Sequence, residues 1–194
     1  MTNNANLQQI ILAKAVKLKN MNSKTIKNSK LNNMDYNSAS TEHKLVEKLM
    51  TDGKCPIGNY ILLANGDMLN FEHYFIEDTF HFRILNKSTI DSYFEFNEED
   101  DVSDFDGACV FGNDEFAVFV GEGSYGSEGA LWVTENKTDK LLWFLFSDTS
   151  NPFVSAYINE NNEVVAKTNL DKIWKIPLFP AARAKFCKTK KYEQ

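Results

Sequence analysis

Cysteine and histidine are scarce in these 194 residues, with three copies of each, and no apolar run approaches the length of about 18 residues that spans a bilayer. Cys55, Cys109 and Cys187 are odd in number and share no C-x-x-C spacing, so neither a disulfide framework nor a zinc knuckle is indicated. Leu7–Leu18 is interrupted by Lys14 and Lys17, which spoils it as the core of a signal peptide. With no export signal and unpaired cysteines, the expected location is cytoplasmic. Acid is missing from residues 1–33, which hold six lysines, so all 27 acids fall in the rest of the chain. Residues 1–40 therefore read as a basic, flexible leader, with a short amphipathic helix over Asn6–Lys19.

What is present suits one domain with a filled core: 43% of the chain is apolar and 13% of it aromatic, with a formal net charge of −6. That charge argues against a duplex nucleic-acid partner and for a basic protein partner. Thr41–Met50 has helical spacing, with Leu45, Leu49, Val46 and Met50 on one side, and stops at Asp52-Gly53, giving a predicted helix over 41–53. From residue 59 the period becomes two. Tyr60–Leu63 and Met68–Phe75 flank the turn Asn65-Gly66-Asp67, and Thr79–Leu85 alternates Phe80, Phe82, Ile84 against Thr79, His81, Arg83. Further strands are expected at Tyr93–Phe96, Gly107–Phe111, Glu115–Val120, Gly129–Thr134, Leu141–Phe146, Val154–Ile158, Glu163–Thr168 and Ile173–Ile176. The predicted fold is mainly β: a single antiparallel domain over 59–178, a sandwich, barrel or partial propeller, with one N-terminal helix and a basic tail over 179–194. Phe80, Phe82, Ile84, Val110, Phe119, Leu131, Trp143 and Leu145 are its expected core.

Gly121-Glu122-Gly123-Ser124-Tyr125-Gly126 matches G-x-G-x-x-G after the apolar run Phe116–Val120. A dinucleotide site needs a helix directly after the third glycine, whose amides hold the pyrophosphate. Here Leu131–Thr134 and Leu141–Phe146 follow as strand, turn, strand. The kinase reading fails where V-A-I-K should stand, since Leu141–Phe146 has no lysine. The stretch reads as a connection using positive-φ glycines, and a small ligand- or nucleotide-binding domain built on Gly121–Gly126 stays as the alternative function.

Glu98–Asp106 (EEDDVSDFD) places six acids in nine positions before Gly107. A calcium loop would need an oxygen ligand where Val102 stands and a closing glutamate that is absent. A solvated acidic loop remains, usable as a docking surface for a basic partner. His73 and His81, with Glu72, Glu77 and Asp78, lack the spacing of a metal set, and neither Ser124 nor Ser127 sits in G-x-S-x-G. No metal, no cofactor and no enzymatic activity are expected. Cys109 reads as a small buried hydrophobe.

Gly121–Gly129 (GEGSYGSEG), Ala130-Leu131-Trp132-Val133, the Leu142-Trp143 strand, Ser150-Asn151-Pro152-Phe153 and Asn169–Ile176 with Trp174 together resemble small cytosolic immunity proteins of bacterial polymorphic-toxin and contact-dependent growth inhibition systems. The resemblance spans about Tyr60–Leu178. It implies inhibition by binding a cognate toxin domain, often through an acidic surface laid over a basic nuclease site, with no nucleic-acid or membrane partner. On the residues themselves, the expected contact is Glu98, Glu99, Asp100, Asp101, Asp104 and Asp106, helped by exposed Tyr93 and Tyr125. Oligomeric state is left open.

Overall fold

The computed structural model describes residues 41–98 and 101–183; the leader over 1–40, Glu99, Asp100 and the tail from residue 184 lie outside the described residues, as does the helix expected over Asn6–Lys19. The described residues belong to one compact unit. Its elements are α1 (Thr41–Asp52), β1 (Lys54–Pro56), β2 (Tyr60–Leu63), β3 (Asp67–Ile76), β4 (Thr79–Thr89), α2 (Ile90–Phe96), β5 (Val102–Gly112), β6 (Phe116–Gly123), β7 (Gly129–Glu135), β8 (Lys140–Ser147), β9 (Phe153–Ile158), β10 (Glu163–Thr168), β11 (Ile173–Pro177) and the one-turn α3 (Pro180–Arg183). The fold is mainly β, and every strand pairing is antiparallel.

Eight strands form one sheet in the order β1-β5-β6-β7-β8-β2-β3-β4, and three form a second in the order β11-β10-β9. β1 and β2 are joined by only Ile57, Gly58 and Asn59, yet four strands stand between them. Such a link reaches at most about 14 Å, whereas five flat inter-strand spacings need about 24 Å. The sheet must therefore curl until β1 and β2 approach, and Tyr60 bridges the gap by donating its hydroxyl to the Pro56 carbonyl at 3.0 Å.

The curl creates two apolar faces. On its concave side Cys55, Tyr60, Leu62, Met68, Ala130, Phe144 and Phe146 pack with Phe105 and Trp132, and α1 and α2 close this core with Val46, Leu49 and Ile90. On the other face Ile61, Leu69, Phe71, Ile84, Val118, Val120, Leu131, Val133, Trp143 and Leu145 meet Phe153, Val164, Ala166, Trp174 and Ile176 of the small sheet. Strands buried on both faces read as unbroken apolar runs rather than alternating ones. That is why Tyr60–Leu63 and Leu141–Phe146 look as they do.

Several expectations change. Tyr93–Phe96 is not a strand but part of α2, because the Thr89 hydroxyl caps the helix by accepting the Ser92 amide hydrogen at 3.1 Å and Ile90 is buried beneath it. Val110 is 36% exposed instead of buried. It is the extra residue of a β-bulge, since Cys109 faces Phe119 while Phe111 already faces Val118, and Phe111 takes the inward place. Phe80, Phe82 and Phe119 are half-buried, and Cys109 is half-buried with its thiol directed at the Phe111 carbonyl. Strand structure also begins before residue 59, with β1. The two-residue turn Glu77-Asp78 has φ of 46° and 65°, the primed geometry that suits the β3–β4 hairpin.

Among the described residues no helix is long and apolar enough to cross a membrane.

Trp143 is fully buried and donates its indole N–H to the Leu178 carbonyl at 2.9 Å. Trp143→Ala should lower stability by about 3–5 kcal/mol in urea unfolding, while Val110→Ala at the exposed bulge should stay within about 0.5 kcal/mol.

Candidate protein-docking surface

The glycine-rich stretch is shaped by space. Gly121 and Gly123 lie inside β6, and none of Gly121, Gly123, Gly126 or Gly129 has a positive φ, contrary to the turn role expected of them. Gly121 faces Gly107 across β5–β6 on the concave side of the curl. A Cβ at Gly121 would come within 1.8 Å of the Asp106 carbonyl, and one at Gly107 within 2.7 Å of the Trp132 ring. Glycine at a tight bend of a curled sheet lets the two backbones and the indole approach. Trp132 then stacks on Phe119, with ring centroids 5.1 Å apart and planes at 6°. β7 follows the motif, and no helix opens after Gly126 to supply phosphate-binding amides.

The turn between β6 and β7 is held from below by Glu128, a carboxylate only 3% exposed. Ser103 donates its hydroxyl to Glu128 Oε2 at 2.7 Å, and the Tyr125 amide donates to the same oxygen at 3.0 Å. The Ser124 amide donates to Ser103 Oγ at 3.1 Å, and the Asp104 amide to Ser124 Oγ at 3.1 Å. A buried carboxylate is costly unless donors satisfy it, and these fasten β5 to the turn. Gly123 makes room for it, since a Cβ there would lie 2.2 Å from Oε2. Nothing in the pattern Ser127-Glu128-Gly129 marked Glu128 as buried, because its side-chain donor, Ser103, comes from β5, 25 residues away.

Nearby, burial pushes the Cys55 thiol and the Tyr60 hydroxyl far above their ordinary ranges, so both stay neutral. A buried thiol of this kind is structural, not nucleophilic.

The turn carries Tyr125 at 65% exposure. Beside it, Asp104 and Asp106 are not in a loop, as expected for Glu98–Asp106, but in β5, with Ser103 and Phe105 turned inward and both acids exposed. Asp106 stands directly opposite Glu122, also exposed. Like charges placed across a strand pair repel one another and disfavour the fold. Asp104 is opposite Lys54 of β1, which offsets part of its charge.

Asp104, Asp106 and Tyr125 thus share one end of the sheet. Glu122, which the sequence reading omitted, joins them through register alone. Glu98 and Asp101 instead close the turn after α2: the Glu98 amide donates to Asp101 Oδ2 at 2.9 Å and the Asp101 amide to the Glu98 carbonyl at 3.0 Å. Tyr93 is not the exposed anchor expected of it. It is half-buried, its hydroxyl donating to the Asp101 carbonyl at 2.8 Å and accepting from the Ile57 amide at 3.3 Å. Glu99 and Asp100 lie outside the described residues.

Among the described residues no group of three or more His, Cys, Asp or Glu is placed to hold a metal ion. His81 stacks on Tyr74 on the outer face of the β3–β4 hairpin, whereas His73 packs against Trp174 on the inner face. The two histidines of the hairpin therefore face opposite ways.

No family model, curated protein or solved structure matches this chain.

Glu128→Ala should cost about 1–3 kcal/mol, as the buried Ser103 hydroxyl and the Tyr125 amide lose their acceptor, and should broaden the amide resonances of Ser124 and Tyr125. Gly121→Ala should be more damaging than Gly126→Ala, because a Cβ at Gly126 meets nothing within 4 Å. Comparing their thermal midpoints checks the order.

Proposed function

We propose that this domain acts by binding a basic protein, as an immunity protein that captures and neutralises a cognate bacterial toxin domain in the cytoplasm without catalysis. The observation that carries the reading is the pairing of an exposed aromatic on a braced turn with like-charged acids beside it. Tyr125 stands on backbone tied to the buried Glu128, and Asp106 faces Glu122 across the strand pair. An anchor held in place before contact loses little freedom on binding. Acids that repel each other in the free protein gain when a cationic surface arrives, which raises the association rate and favours basic partners. Lysine- or arginine-rich surfaces of a nuclease-type toxin have the matching charge.

The test is surface plasmon resonance against basic, nuclease-type bacterial toxin domains. Replacing Asp104, Asp106 and Glu122 by Asn, Asn and Gln should slow association and flatten its dependence on salt. Tyr125→Ala should accelerate dissociation, weakening the complex by about 2 kcal/mol or more if the ring is an anchor. Unchanged kinetics in both folded variants would move the interface elsewhere. A thermal-shift screen with nucleotides should show no change, whereas a site occupied at a hundred times its dissociation constant would add about 2.7 kcal/mol and redirect the function to ligand binding.

A further inference from the structure

A second feature, independent of the docking surface, lies where the β3–β4 hairpin meets the small sheet. β3 presents Phe71, His73 and Phe75 to this junction, β4 presents Phe80 and Phe82, and β11 inserts Trp174 between them. The His73 ring is 4.3 Å from the Trp174 ring and also touches Phe71 at 6.1 Å and Phe80 at 6.4 Å, centroid to centroid. Trp174 is fully buried and its indole N–H has no hydrogen-bond acceptor. A place that leaves an indole N–H unanswered is poorly supplied with acceptors for the two N–H groups of an imidazolium.

The charged groups around this junction are few and mostly engaged. Glu72 and Arg83 pair with each other at 2.6 Å, and by strand alternation they and His81 lie on the far side of the hairpin. Asp78 at the hairpin turn pairs with Lys172, whose ammonium lies 5.4 Å from the centre of the Phe75 ring. From β9 and β10 come Phe153, Val164 and Ala166, all apolar. Asp148, just after β8, is the one group whose charge favours protonation of His73; its carboxylate accepts from the Asn59 side chain at 2.7 Å. The indole face also attracts a cation. Burial nevertheless outweighs the pull of Asp148, and holds the imidazole below its ordinary range.

We propose that His73 is an acid-sensitive latch: neutral, it packs the hairpin against the small sheet, and its protonation releases β11 from β3 and β4. For a base whose folded-state affinity for protons is lowered, the unfolded or opened state binds the extra proton. Stability is then full above the ordinary histidine range and falls as pH drops through it, until the folded group too is charged. Release would uncover the buried Phe71 and Trp174 and join them to the half-exposed Phe80 and Phe82 in one aromatic surface.

The test is NMR on the intact chain between pH 7 and about 5, following the His73 Cε1 resonance and the hydrogen-exchange protection of the Ile173–Pro177 amides, corrected for intrinsic exchange. One proton changes an opening equilibrium by at most about tenfold per pH unit. The expected result is a fall in protection of about tenfold across the range, tracking the titration of His73, absent in His73→Phe and retained in His81→Gln. Should His73→Phe fold poorly, His73→Gln, neutral throughout, serves in its place. Protection that stays constant while His73 titrates, or a fall that survives in the neutral variant, would overturn the latch.

Discussion

Three residues between β1 and β2 impose a curl on the eight-stranded sheet, and most of the architecture depends on it. Strands at opposite ends of a six-strand run are neighbours in sequence, so the sheet cannot lie flat. A curled sheet needs a filled concave side, and large aromatic rings fill it: Tyr60, Phe105, Trp132, Phe144 and Phe146. It also needs positions without side chains where strands crowd. Gly107 and Gly121 meet that need.

β8 is the wall shared by both cores. Phe144 and Phe146 turn to the concave side, Trp143 and Leu145 to the small sheet, and all four are fully buried. Packing at the density of protein interiors leaves little freedom to either neighbour, so the helices, the small sheet and the segment after β11 are all positioned from this strand. The hydrogen bond from Trp143 to Leu178 extends the same control to the end of the domain.

The proposed docking surface takes its bracing from this arrangement. A buried carboxylate answered by a hydroxyl and an amide, as at Glu128, is favourable only when the donors are held in place. Here β5 and the β6–β7 turn supply them, and the outcome is an exposed Tyr125 on fixed backbone beside Asp104, Asp106 and Glu122. The β3–β4 hairpin is built differently. The hairpin contributes half-exposed aromatics and an imidazole packed against their rings, so contact there rests on apolar packing and, in the latch proposed above, on the protonation of one ring.

Periodicity and turn chemistry by themselves determined the antiparallel β class, the helix at Thr41–Asp52, the hairpin around Asn65-Gly66-Asp67 and the inward face of Phe80, Phe82 and Ile84. These are local properties: alternation, caps and glycine turns act over a few residues. Other features were decided only by the tertiary structure. Tyr93–Phe96 has strand-like residues, yet the Thr89 cap and the burial of Ile90 make it helix. Val110 fits an inward alternation, yet a bulge turns it out. The acids of Glu98–Asp106 look like one loop, but strand pairing divides them, sends Asp104 and Asp106 to an exposed face and recruits Glu122 from β6. Glu128 is buried because Ser103 reaches it across the sheet. In each case the deciding partner is distant along the chain, and pairing register, which the order of residues in one strand does not specify, selects which side chains meet.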